Sequence, residues 1–168
     1  MIPVIAVTVP ILIITVMIFS SVKQVPPGAV FIMERLGSFH CVYTEGVHFA
    51  MPFLDRIAAK VNVTPQCLPL ESVTALSSDD RPLLISAEIH FFIADAAAFF
   101  YSTGNAVQDL GRLTLTGLRD IIGSMDGGTA LSSREETEKK LTRVIAPAVE
   151  QWGLAVSDIR LTELSSNQ

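Results

Sequence analysis

Apolar residues fall along this chain in three rhythms, each predicting a different kind of structure. The first is continuous: the segment MIPVIAVTVPILIITVMIFSSV, residues 1–22, holds only apolar, hydroxyl and proline side chains, and Lys23 is the first charge. A helix rises about 1.5 Å per residue, so Ile2 to Val22 reaches across the ~30 Å hydrocarbon core of a bilayer with its backbone amides bonded internally. Pro3 lies in the first turn, where a missing donor costs little, whereas Pro10 predicts a bend in mid-span. No basic residue precedes the run and Phe19-Ser20-Ser21 is a poor cleavage site, so the expectation is a retained anchor rather than a removed signal peptide.

The second rhythm has period two. After a short connector over residues 23–27, stiffened by Pro26 and Pro27 and released by Gly28, AVFIMERLG and SFHCVY read as strands with Gly37 turning between them. RIAAKVNVT and QCLPLESVTALSS continue the β pattern, with Pro65 and Pro69 marking an edge strand. Beyond a turn at Asp79-Asp80-Arg81-Pro82, the odd positions Leu83, Ile85, Ala87, Ile89, Phe91 and Ile93 are apolar, while Ser86, Glu88 and His90 take the even face. That alternation predicts a sheet with one face buried.

The third rhythm is helical. Asp95 is placed to cap a short helix through AAAFFY, and Asn105 a longer one in which Val107, Leu110, Leu118, Ile121, Ile122 and Met125 recur, stopped by Gly127-Gly128. Ser133-Arg134-Glu135-Glu136 fits a capping box opening a further helix, whose apolar stripe is Leu141, Val144, Ile145, Ala148, Val149 and Trp152. Glu135 with Lys139 and Glu136 with Lys140 are favourable pairs on its outer side, Pro147 predicts a kink, and Gly153 ends it before a last strand, LAVSDIRLTEL. Strands, then helices, then a strand predict an α+β domain of about 145 residues behind the anchor.

Composition narrows the chemistry. Charged residues make up 17% of the chain and the net charge is -5, with no block of Lys or Arg, which argues against nucleic acid as a partner and makes membrane attachment apolar rather than polybasic. Cys41 and Cys67 lie in strand-like stretches without CxxC spacing, so two buried free thiols are expected. His40, His48 and His90 stand apart in sequence, Ser132 and Ser133 are explained as caps, and no GxSxG, HExxH or phosphate-binding glycine loop occurs. The expectation is a non-enzyme with no catalytic residues, no metal ligands and no cofactor.

Taken in order, VPPG, ERLG at Glu34–Gly37, EGVHFAMPFLDR at Glu45–Arg56, the Leu83–Ile93 strand, LSSRE at Leu131–Glu135 and WGLAV at Trp152–Val156 resemble the stomatin/prohibitin family, also called SPFH or band 7. The resemblance implies an SPFH domain over residues 28–164, a mixed and mostly antiparallel sheet with packed helices, followed by a tail at 165–168. It also implies a single-pass protein of a bacterial inner membrane or a eukaryotic equivalent that organises membrane microdomains. Its partners would be the lipid bilayer, homo- or hetero-oligomers with other SPFH proteins, and membrane proteins such as proteases that it holds or regulates. Lys23 and Arg35 weakly favour a cytoplasmic domain. In this frame the apolar stretch FAMPFL offers Phe49, Met51, Phe53 and Leu54 as membrane-contact candidates, with core packing of Phe49 and Phe53 as the alternative.

Two departures from the family pattern stand out. Members usually continue past the last strand into a long Ala/Glu/Arg-rich helix, whereas this sequence stops at Ser165-Ser166-Asn167-Gln168. It is read either as part of a longer protein or as a short member that caps or regulates full-length relatives; an independent membrane-bound hydrolase is the remaining alternative. The second departure is DGGTA at Asp126–Ala130, in place of a more helix-compatible acidic and leucine-rich stretch.

Overall fold

The computed structural model describes residues 15, 21–102 and 104–166. The anchor expected over residues 1–22 therefore lies almost wholly outside the described residues, among which no helix is long and apolar enough to cross a membrane. The chain divides into two compact units, with the boundary between Val63 and Thr64.

Among the described residues the first unit holds five strands: β1 (Val22–Val25), β2 (Ala29–Arg35), β3 (Ser38–Tyr43), β4 (Gly46–Phe49) and β5 (Asp55–Asn62). β1 and β4 form one antiparallel ladder, and β3-β2-β5 a second sheet, also antiparallel. β2 is central, and Val30, Phe31, Ile32 and Met33 are buried along it. Residues 23–25, expected in the connector, are thus strand. Beyond Lys23 the first missing amide donor is at Pro26, so Val22–Val25 keeps its full set and pairs Val22 with Phe49 and Val25 with Gly46. The β2–β3 hairpin closes through two residues, Leu36 and Gly37, both left-handed with φ of 53° and 85°. A two-residue hairpin turn of this kind requires positive φ at both positions, which suits Gly37 and strains Leu36.

The second unit is a three-stranded antiparallel sheet in the order β6 (Gln66–Leu76), β7 (Pro82–Ile93), β8 (Leu154–Ser166), with β6 at an edge as Pro69 within it predicts. All six odd positions of β7 from Leu83 to Ile93 are buried, and the even ones are half-buried. Helices α1 (Ala96–Tyr101), α2 (Ala106–Gly123), α3 (Gly127–Ser132) and α4 (Arg134–Val149) connect β7 to β8. α2 packs on β6, α4 on β8, and the two helices on each other. Gly117 permits that last approach, since a Cβ there would sit 3.1 Å from Leu141. Leu110, Leu118, Ile122, Leu141, Ile145 and Val149 are buried, each worth roughly 1.5–3 kcal/mol of apolar transfer.

Helix ends follow side-chain hydrogen bonding, and here three expectations change. Asp95 caps α1 by accepting from the Ala97 and Ala98 amides at 2.9 and 3.0 Å, and Asn105 caps α2, as the sequence predicts. Gly127-Gly128 does not stop α2, which has already ended at Gly123; the two glycines open α3 because Asp126 accepts from both the amide and hydroxyl of Thr129, at 3.0 and 2.7 Å. Ser133 makes no side-chain cap. Its amide closes α3 on the Thr129 carbonyl, and its backbone (φ -104°, ψ 37°) is not the extended conformation a capping box needs. Val144 is exposed rather than part of the α4 stripe, and α4 runs through Pro147 into a 3-10 turn at Glu150–Trp152. The cysteines are free but not buried: Cys41 is half-buried, and Cys67 is exposed on the β6 face alternate to the leucines that meet α2.

Candidate functional site

Large apolar side chains gather on the surface of the first unit, where β4 runs into the loop before β5. Phe49 is 73% exposed, Phe53 93% and Leu36 81%, with Phe39, Val47, Met51 and Leu54 also exposed. These values rule out core packing of Phe49 and Phe53. Hydrogen bonds bring the contributing segments together: the Leu36 amide donates to the Leu54 carbonyl at 3.3 Å, which sets the hairpin tip beside the loop. The Ala50 amide donates to the Ser21 carbonyl at 2.8 Å, extending the β1–β4 ladder to the residue at the end of the apolar N-terminal run. Exposed large apolar side chains clustered along one loop and the hairpin tip tied to it mark an interaction site more often than a scattered exposed leucine does.

The loop is held in shape from behind. The Asp55 carboxylate, whose side chain is 1% exposed, accepts from the Met51 amide at 2.7 Å and from Arg35 in a two-point pair at 2.7 and 3.1 Å. Arg35 chiefly, with the Met51 amide, holds the Asp55 carboxyl down to a pKa of about 2. The Asp55 and Leu54 amides both return to the Met51 carbonyl, at 2.9 and 3.3 Å. Under these ties Phe53 adopts φ 70°. A side-chain-bearing residue in the left-handed region costs about 1–2 kcal/mol, so Leu36 and Phe53 are both displayed at the expense of backbone strain. His48 belongs to this framework: its ring stacks on Tyr43 at 4.4 Å and lies 2.8 Å from the Thr44 carbonyl, while Tyr43 donates to the Phe49 carbonyl at 2.9 Å.

In the second unit, strand register assembles a group that sequence spacing concealed. Cys67 stands opposite His90 across β6–β7, and Glu88 is two residues from His90 on the same face. Ligand atoms of Cys67, Glu88 and His90 all lie within 4.8 Å of one another. His90 is therefore not isolated. On its other side β8 places Asp158 opposite His90 and Arg160 opposite Glu88, with the Arg160 guanidinium 2.7 Å from the Asp158 carboxylate.

The SPFH domain / Band 7 family model matches residues 23–168. An uncharacterized protein of Mycobacterium tuberculosis is 26% identical over 149 residues, covering 89% of this chain and 39% of the relative. A stomatin homolog of Pyrococcus horikoshii is 24% identical over 153 residues, 91% of this chain and 57% of that protein. A putative band 7 family protein of Acanthamoeba polyphaga mimivirus is 19% identical over 142 residues, covering 84% and 46%. The chain thus spans about half the length of the curated relatives it matches.

Proposed function

This chain belongs to the SPFH/band 7 family, and on that premise we propose that it is a membrane-bound scaffold that works by holding and organising membrane components rather than by catalysis. Residues 1–22 supply the span, and Phe49, Met51, Phe53 and Leu54, with Leu36 beside them, enter the adjacent lipid interface. The observation that carries this reading is the exposed apolar loop, displayed in strained backbone and hydrogen-bonded directly to Ser21. Each large side chain moved from water into the interface gains up to roughly 1.5–3 kcal/mol, enough to lay the first unit on the bilayer once the span has tethered it.

Lateral assembly with copies or relatives is the second part of the proposal, and the edge strand β6 supports it. Beside that strand runs a groove of about 320 Å³ lined by Leu68, Leu70, Val107, Gly111 and Leu115 together with Gln108 and Arg112, offering apolar surface at the edge of the sheet. Regulation of membrane proteins such as proteases would follow from recruiting them to such patches.

The test places a fluorophore in the loop of the full chain. In a Trp152→Phe background, Phe53→Trp in vesicles containing acyl-brominated phosphatidylcholine should be quenched strongly relative to the same protein in unbrominated vesicles. Equal fluorescence in the two kinds of vesicle would remove the lipid-contact reading.

A further inference from the structure

We propose that Cys67, Glu88 and His90 form a binding site for a divalent metal of intermediate softness, with Zn²⁺ the best match, on the face of the second unit's sheet directed away from α2. The scaffold reading does not require such a site, and nothing in the resemblance suggests one. Three features of the geometry point to it. First, the donor set is a thiol, an imidazole and a carboxylate, the three ligand types that Zn²⁺ takes from proteins and that Ca²⁺ or Mg²⁺ would not select. Second, the donors stand on two neighbouring antiparallel strands, in register positions with Cys67 directly across from His90, so their spacing is set by the ladder rather than by a loop. Third, a tetrahedral metal with bonds of about 2.0–2.3 Å holds its ligands roughly 3.5 Å apart. The 4.8 Å limit on the present separations leaves only about an ångström of side-chain adjustment, which rotamer motion supplies without moving the backbone.

Electrostatics agree with a cation here. Arg160 is the nearby positive charge, but its guanidinium is engaged by Asp158, which together with Glu138 and Glu88 holds its pKa up. The Glu88 carboxylate then leaves the site net negative. Cys67 is exposed while Glu88 and His90 are half-buried, so metal enters from solvent and the fourth position stays open to water or to a group from a neighbouring molecule. Binding displaces the thiol proton to solvent and forms metal–sulfur, metal–nitrogen and metal–oxygen bonds, with no electron transfer.

The experiment titrates the detergent-solubilised full chain with Co²⁺ and reads the thiolate-to-cobalt charge-transfer absorption, then displaces it with Zn²⁺. One equivalent should develop the band, Cys67→Ser should abolish it, and Cys41→Ser should leave it intact. His90→Gln and Glu88→Gln should each weaken Co²⁺ binding by more than about tenfold, because even groups standing behind metal ligands are worth 10–100-fold. A second readout needs no variant: Zn²⁺ should slow maleimide alkylation of Cys67 but not of Cys41 in the unaltered protein. The proposal is overturned by absence of a charge-transfer band at one equivalent, by wild-type affinity in His90→Gln and Glu88→Gln, or by equal protection of the two thiols.

Discussion

Replacing Gly153 by alanine should destabilise the second unit by several times what an ordinary added methyl costs. Gly153 turns the 3-10 segment into β8 at φ 71°, its amide donates to the Glu150 carbonyl, and its carbonyl accepts from Ala94 and Asp95 at 2.9 and 3.1 Å. A Cβ at this position would lie 2.2 Å from the Asp95 carbonyl oxygen and 2.7 Å from the Phe99 amide, both backbone atoms that cannot swing aside. The left-handed conformation alone costs about 1–2 kcal/mol for alanine. Relieving the clash pulls Asp95 away and sacrifices the two bonds to the Gly153 carbonyl, at about 1 kcal/mol each. The sum is about 3–4 kcal/mol, a large share of the 5–15 kcal/mol that a typical domain possesses. Trp152 is the chain's single tryptophan and is half-buried next to the site, so its fluorescence during urea unfolding of the detergent-solubilised chain reads the change directly. Gly123→Ala is the matched control: it ends α2, its nearest contact would be an ordinary 3.7 Å to the Leu76 carbonyl, and it should be neutral or gain up to about 1 kcal/mol. A loss below about 1 kcal/mol in Gly153→Ala would refute the packing argument.

Four further outcomes are expected. Leu36→Asn and Phe53→Gly should each relieve about 1 kcal/mol of left-handed strain and slow amide exchange in β2, while lowering brominated-lipid quenching of a tryptophan at Met51; slower exchange with undiminished quenching would separate the strain from membrane contact. The Asp55 carboxyl is held at about 2 against about 3.8 in the unfolded chain, so its contribution to the first unit is complete above about pH 4 and disappears as pH falls through 2. The Met51 amide resonance should report that titration, and Asp55→Asn should abolish it. Ile89→Ala, at a fully buried position in β7, should cost about 2–5 kcal/mol by the same tryptophan assay. Val9→Arg should oppose membrane insertion by about 2.5–3.5 kcal/mol, measured as a shift of the chain into the alkali-extractable fraction.

The parts of the fold legible in sequence were those where one local rule acts without competition. β7 alternates because one face is buried and the other is not, and Asp95 has amides two and three residues ahead to bind. Ser133 fits its motif equally well, yet it is also the last residue of a preceding turn, and one backbone cannot take both conformations. Pro26 and Pro27 suggested a connector because composition is read over a window, whereas strand pairing ends at a particular amide. Residue type alone does not separate an exposed Phe53 from a buried Phe91, since both are apolar residues in β-rich surroundings. The Cys67–Glu88–His90 group lay hidden for a different reason: it spans two strands, and only the register of the β6–β7 hairpin brings its members together.

The position of β7 between β6 and β8 also sets a schedule for synthesis. Its pairing with β6 needs only the short turn at Asp79-Asp80, so that hairpin closes soon after Ile93 leaves the ribosome. Its pairing with β8 must wait for about 70 more residues, which at ~5–20 residues per second takes roughly 4–14 s. Throughout that interval β7 offers an unpaired edge, already ordered on its other side. Where neighbouring ribosomes make copies of the same chain, the first strand to reach that edge need not come from the same molecule. An exchanged β8 would reproduce every native pairing, so the delay written into the strand order gives nascent copies a route to become entwined before either has finished folding.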